Sequence, residues 1–324
     1  MENLFLSWKE FRRGKTKKID VQEFAKNFED NLFALHESLK NKTYRHSNYT
    51  SFYITDPKLR HIHKACVKDR IIHHAIYRVL YPIFDKTFIF DSYSCRLNKG
   101  THRAVDRLED FTRIVSENYR GTCFALKCDI KSFFDSVDHH ILFELIKKKV
   151  TDEDILRLLW NIISSFQVED SERERERERE RVKRGLPIGN LTSQLFANIY
   201  LNELDYFVKH KLKIKYYLRY CDDFVILENR EWSSISLIDE IDKFLSEKLS
   251  LSLHRGKVVI RKFGQGIDFL GYVVLPGHRI LRTKTKNRML TRVNDKNLAS
   301  YLGLTKHCES YSLRKKLPGS SVTE

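Results

Sequence analysis

The 324-residue sequence contains no run of about 18 apolar residues, so no membrane-spanning helix is expected. Met1 to Arg13 mixes charges into its apolar residues and lacks the apolar core of a signal peptide, so a cytoplasmic location is expected. The six cysteines, Cys66, Cys95, Cys123, Cys128, Cys221 and Cys308, are scattered and form no Cys-x-x-Cys pair. That spacing argues against a zinc site and against a disulfide framework, and each cysteine reads as a small apolar core residue. None of the 13 histidines has the spacing to a nearby acid that suggests a metal triad. Acidic residues are also in short supply. There are 43 Asp and Glu against 59 Lys and Arg, a formal net charge of +16.

That charge points to a polyanionic partner, and nucleic acid leads because each neutralised phosphate releases counterions. An anionic membrane surface is the rival, but no basic amphipathic helix with a wide apolar face is evident. The 41% share of hydrophobic residues excludes a wholly disordered chain. Helical spacing predicts helices through much of residues 1–45, over 69–90 with a stop near Pro82, and over 101–118. Further helices are expected over 139–149, 152–165, 191–211 and 234–250, and throughout the basic stretch from Arg279. Tyr49 to Thr55, residues 122–130 and residues 256–274 read as strands. Residues 215–227 read as strand, tight turn, strand. This mixed order favours an α+β fold. Residues 172–181 alternate Glu and Arg, so neither face of a helix or strand built from them can be buried, and a solvated loop is expected.

The most informative tetrapeptide is Tyr220-Cys221-Asp222-Asp223, between the apolar stretches at 216–219 and 224–227. Adjacent acids repel and are depleted in strands, although Asp also favours ordinary hairpin turns. Asp129 ends a second apolar strand. If the two strands are neighbours, three carboxylates gather. They would then suit two divalent ions about 3.5–4 Å apart, the spacing used for in-line nucleotidyl transfer.

Tyr-Cys-Asp-Asp resembles the YxDD signature of reverse transcriptases, and the resemblance extends over about residues 45–285. Arg60-His61-Ile62 and Lys68-Asp69-Arg70-Ile71-Ile72 resemble the fingers motif. Asp91 to Arg96 with Lys99 to His102, and Asp129 to Asp138, resemble the blocks that follow. Gly185-Leu186-Pro187-Ile188-Gly189-Asn190, continuing to Asn198, resembles the pocket motif. Phe269-Leu270-Gly271-Tyr272 resembles the primer grip. Ile188, with Ser193-Gln194 at the end of the pocket motif, and the block Phe11 to Lys15 are closest to the reverse transcriptases of diversity-generating retroelements.

The resemblance implies a right-hand polymerase. Residues 1–45 would be a helical extension, 46–278 fingers and palm with an antiparallel sheet, and 279–324 a short helical thumb with a tail. It implies two Mg²⁺ ions held by Asp129, Asp222 and Asp223, with the Ile130 carbonyl as an extra ligand. It assigns dNTP contacts to Arg60, Arg70, Phe134, Ile188 and Lys257, with Lys58 as a possible addition. Phe134 would exclude the ribose 2′-hydroxyl, and Lys257 would serve the pyrophosphate. Tyr220, Gly271, Arg282, Lys284, Lys286 and Arg288 would contact primer and template. Isoleucine cannot make the hydrogen bond that most of the family's glutamine offers at position 188, a physical route to low fidelity. The implied partners are template RNA, primer, cDNA, dNTPs and a small basic accessory protein. Expected alternatives are a group II-like, retron or defence reverse transcriptase, and a non-catalytic RNA-binding scaffold.

Overall fold

A computed structural model describes residues 1–55, 59–168, 183–230 and 235–317. The Glu/Arg stretch 172–181, Lys58 and the end of the tail, 318–324, lie outside the described residues. The chain divides into two compact units. One comprises Met1–Ile89, Ile130–Tyr206 and Asp242–Ser252, and the other Phe90–Asp129, Phe207–Ile241 and Leu253–Glu324.

The first unit is mostly helical. Helices Glu2–Phe11, Ile19–Lys26 and Phe28–Lys40 form its start. They are held by Trp8, whose ring lies 5.2 Å from Phe24 and 5.4 Å from Phe28 between centroids. Strands β1 (Thr50–Ile54) and β2 (Arg60–Lys64) make an antiparallel hairpin. The next helix, Val67–Asp85, runs through Pro82 instead of stopping there. Its apolar stripe Ile72, Ile76, Leu80 and Phe84 continues past the proline and is buried throughout. Pro82 costs the helix one hydrogen bond close to its end, and burial of Phe84 offsets that loss. Helices His139–Lys147 and Glu153–Ile163 are started by side-chain caps. Asp138 accepts from the His140 and Ile141 N–H groups, and Asp152 from that of Ile155. Helix Leu191–Tyr206 is buried nearly all round and packs on both Val67–Asp85 and His139–Lys147.

A polar network lies inside this unit. The buried Asp69 carboxylate accepts from Tyr44 Oη (2.8 Å), the Ser47 N–H (2.9 Å) and Cys66 Sγ (3.1 Å). His46 Nε2 is 3.1 Å from His73 Nε2, and His73 Nδ1 is 2.7 Å from Thr192 Oγ1. Burial alone would raise the Asp69 carboxyl. The His46 ring and the bonds from Cys66, Tyr44 and Ser47 hold it below the ordinary carboxylate value of 3.8 instead.

The second unit carries two antiparallel sheets. Strands β3 (Phe124–Asp129), β4 (Tyr217–Tyr220), β5 (Asp223–Glu228) and β6 (Val259–Lys262) form a sheet in the order β4-β5-β3-β6. Strands β7 (Ile267–Phe269), β8 (Tyr272–Leu275) and β9 (His278–Leu281) form the other. Ala125, Leu218, Val225 and Leu227 share one buried cluster with Val105, Leu108 and Phe111 of helix Thr101–Val115. Phe269, Tyr272, Val274 and Leu281 extend the same cluster to Met289. Residues 279–281 were expected to be helical and are strand β9 instead. Pro276-Gly277 makes a two-residue turn, with Gly277 at φ +78°, that folds β9 back on β8. The basic helix begins at Thr283 and ends at Arg292.

Asp69→Ala should destabilise the protein by on the order of 3 kcal/mol in urea unfolding, because it strands the buried Tyr44 and Ser47 donors. The contribution of a carboxyl held low is present above the unfolded value and lost as pH falls through the folded one. The difference between wild type and variant should therefore shrink below pH 3.8.

Candidate active site

The hairpin that carries the adjacent acids has a fixed register. Tyr220 pairs with Asp223 across β4 and β5, leaving Cys221-Asp222 as a two-residue turn. Cys221 takes φ +56°, a backbone state that non-glycine residues seldom adopt. On the other side of β5 the register runs from Phe124 opposite Glu228 to Asp129 opposite Asp223. The two apolar strands therefore end together, and both end in a carboxylate. Asp222 sits in the turn beside them.

Three acids at one sheet end repel one another. Burial raises the Asp223 carboxyl to about 6, with Lys127 pulling it down and Asp222 and Asp129 pushing it up. Burial also raises Asp222, and the charge on Asp129 adds to it while Lys257 opposes it. Lys257 Nζ lies 2.7 Å from Asp129 Oδ1, delivered by a short turn at Arg255–Lys257. That turn is tied to β3, because the His254 N–H donates to the Asp129 carbonyl at 2.8 Å. Among the described residues no three His, Cys, Asp or Glu side chains form a ready-made ligand set. The donor chemistry nevertheless fits Mg²⁺. These are hard carboxylate oxygens whose mutual repulsion a divalent cation would relieve.

The other predicted residues divide between the units. Ile130 follows Asp129 directly, is 1% exposed and begins the second segment of the first unit. In that unit Arg60 and Ile188 line one cavity of about 770 Å³, with His61, His63, Asp135 and Phe166. The His63 N–H donates to the Ile188 carbonyl at 3.2 Å, which ties β2 to the loop at 185–190. Phe134 is half-buried against Phe133, and its carbonyl accepts from the Leu186 N–H at 2.6 Å. Arg70 does not line the cavity. Its guanidinium pairs with Asp20 and lies over the Phe11 ring, so the N-terminal helices already engage it.

In the second unit, Tyr220 Oη accepts from Thr101 Oγ1 at 3.2 Å. Arg282 Nε donates to Asp268 Oδ1 at 2.7 Å, and the Arg282 N–H to the Gly271 carbonyl at 2.9 Å. Lys284 and Lys286 are exposed on helix Thr283–Arg292, where Arg288 is partly buried. A glycine just before a strand, as Gly271 is, suggests a close approach of strands. A Cβ there would meet only Thr285 Oγ1, at 3.7 Å, so space is not the constraint. Leu270 at φ +50° and Gly271 at φ +92° form the tight β7–β8 turn, and the backbone angle is what calls for glycine.

Sequence reasoning missed a row of rings, of which His61, His63 and Phe166 line the cavity. Tyr53 stacks on His61 with centroids 4.4 Å apart, His61 lies 4.2 Å from His63, and His63 lies 4.6 Å from Phe166. The alternation of aromatic and His residues along β1 and β2 was the available signal. Arg219 and Lys127 were missed as well. No local pattern marks a charged residue inside an apolar strand as a neighbour of the acids.

The family described as Reverse transcriptase (RNA-dependent DNA polymerase) matches residues 54–274. The chain belongs to the reverse transcriptase family. Within that family it is similar to Protein YkfC of Escherichia coli (strain K12), with 25% identity over 261 residues, 71% of this chain and 65% of that protein. It is also similar to Group II intron-encoded protein LtrA of Lactococcus lactis subsp. cremoris. That match has 24% identity over 346 residues, covering 85% of this chain and 54% of LtrA. The chain thus spans between about half and two thirds of the length of these curated relatives. Among solved structures, apo telomerase from Candida Tropicalis truncated from its C-terminal domain has a TM-score of 0.54 at 14% identity. That match covers 78% of this chain and 60% of that one. This reverse transcriptase has the α+β, right-hand polymerase class of fold, with its paired carboxylates on an antiparallel sheet. Among the described residues no helix is long and apolar enough to cross a membrane.

Asp223→Asn should raise the melting temperature of the metal-free protein by about 2 °C above pH 6, by removing one of three crowded charges. Calorimetry with a chelator measures it. Gly271→Ala should lower stability by about 1 kcal/mol in urea unfolding, through its positive φ.

Proposed function

We propose that this reverse transcriptase makes DNA on an RNA template from dNTPs. The observation that carries the reading is the register that sets Asp129 opposite Asp223, with Asp222 in the adjoining turn. The primer 3′-oxygen attacks the α-phosphorus of the dNTP, and the bond to pyrophosphate breaks. Two Mg²⁺ ions, held by Asp129 and Asp222 with Asp223 in support, would supply Lewis-acid activation of the hydroxyl and charge neutralisation of the phosphates. Lys257 stands beside Asp129 and is exposed, so its ammonium is placed to receive the pyrophosphate and hand it a proton. Arg60 gives the cavity of the first unit a hydrogen-bond donor for phosphate, and the His61–His63–Phe166 row gives it flat faces on which bases stack. The exposed Lys284 and Lys286 suit duplex phosphates, which contribute affinity without sequence preference.

We further propose that the copying is error-prone at template adenines and serves targeted diversification, with a small basic accessory protein as partner. Ile188 supports this reading. It lines the cavity and offers no side-chain hydrogen bond to nucleotide or template. The second reading is an accurate, group II-like enzyme, which the similarity to an intron-encoded protein favours.

Primer extension with dNTPs and Mg²⁺ on a defined RNA template tests the activity. Asp222→Asn should reduce incorporation by about 10³-fold or more, with the thermal melt unchanged. Sequencing the cDNA separates the two readings. Errors concentrated opposite adenine, and reduced in Ile188→Gln, are expected for diversification. Uniformly accurate cDNA would place the enzyme with the group II-like type.

A further inference from the structure

Arg219 is the bulkiest of the fully buried side chains, at 0% exposure, although it carries a charge. A guanidinium removed from water needs its hydrogen bonds met, and their directions reveal what it holds. Arg219 lies in β4 immediately before Tyr220, and its side chain reaches forward to the acid-bearing turn. Nη1 donates to the Cys221 carbonyl at 3.0 Å, and Nη2 donates to Ser92 Oγ at 3.1 Å.

The backbone on which this fork stands is also fixed. The Arg219 N–H donates to the Asp91 carbonyl at 2.9 Å, and the Tyr93 N–H to the Arg219 carbonyl at 2.9 Å. Asp91 to Tyr93 thus pair with the outer edge of β4 around a parallel bridge between Ser92 and Arg219. The Asp91 carboxylate in turn accepts from Arg107 Nε at 2.8 Å.

The Cys221 carbonyl and the Asp222 N–H belong to one peptide plane. Cys221 holds φ +56°, which non-glycine residues seldom adopt, and the plane that follows it turns through ψ of Cys221 and φ of Asp222. Such a rotation would turn the Asp222 carboxylate away from Asp129 and Asp223. We propose that Arg219 is a positioning residue for Asp222. It locks the peptide that leads into the acid by clamping the turn to Ser92. A planar, charged fork suits this task, because its two bonds have fixed directions that a lysine ammonium cannot reproduce. The inference rests on the reading of Asp222 as a metal ligand.

The test uses the full chain carrying Arg219→Lys or Ser92→Ala, with Asp222→Asn as reference. Mn²⁺ binding is followed by electron paramagnetic resonance without nucleic acid or dNTP, and primer extension is measured separately. Arg219→Lys is expected to weaken Mn²⁺ binding and lower kcat on the order of tenfold, with KM for dNTP unchanged. Ser92→Ala removes one anchor of the fork and leaves the arginine. It should move both readouts the same way by a smaller factor, so it decides the matter if Arg219→Lys fails to fold. Wild-type Mn²⁺ binding and kcat in a folded Arg219→Lys protein, or in Ser92→Ala when Arg219→Lys does not fold, would overturn the inference. A wild type that binds Mn²⁺, loses it in Asp222→Asn and never extends a primer would overturn the polymerase reading. The positioning role would then be decided by Mn²⁺ binding alone.

Discussion

The antiparallel pairing of β3 with β5 is the constraint on which the rest of the site depends. It brings a lone aspartate and an aspartate pair, almost a hundred positions apart in sequence, to one sheet end. Like charges do not choose this arrangement. It is imposed by the apolar runs behind them, Phe124 to Cys128 and Phe224 to Leu227, which are buried almost throughout. Burying those strands contributes far more than the carboxylate repulsion costs, so the acids are carried where the core requires. The raised Asp222 and Asp223 carboxyls are the residue of that conflict. The arrangement proposed for catalysis is therefore the one in which like charges are most crowded.

Cations already present in the fold moderate the conflict. Lys257 contacts Asp129, Lys127 draws down Asp223, and Arg219 donates to the Cys221 carbonyl in the turn. Each comes from a different element of the second unit: a short turn, a central strand and an edge strand. None neutralises the cluster, which keeps it receptive to divalent cations. The first unit contributes chemistry of a different kind. Its cavity joins one exposed guanidinium to a row of aromatic and imidazole rings, a combination suited to phosphate and base together. In the same unit, the Asp69–His46–His73–Thr192 network links helix Val67–Asp85 to the start of helix Leu191–Tyr206 through polar contacts.

Much of the site was legible because its signals are local. Asp222-Asp223 between two apolar stretches marks a hairpin turn, and Asp129 at the end of an apolar run marks a strand terminus. The loop at 185–190 shows itself through glycine and proline. Other features were hidden because they depend on partners distant in sequence. Arg70 looks like a free cation until Asp20 is folded against it. Pro82 looks like a helix stop until Phe84 is seen buried beyond it. Gly271 looks like a packing glycine until its φ is known.

By itself the sequence determined the resemblance to reverse transcriptases, the α+β character and which three acids form the candidate site. Residue type, strand-length apolar runs and turn composition act over a few positions and need no tertiary contact to be read. Only the tertiary structure decided the register that sets Asp129 opposite Asp223, the engagement of Arg70 and Arg282 with acids, and the hydrogen bond of Arg219 to the acid-bearing turn. The reason is physical. Strand register and the pairing of a buried charge are settled by whichever arrangement buries the most apolar surface with every polar group satisfied, and that is a property of the whole chain.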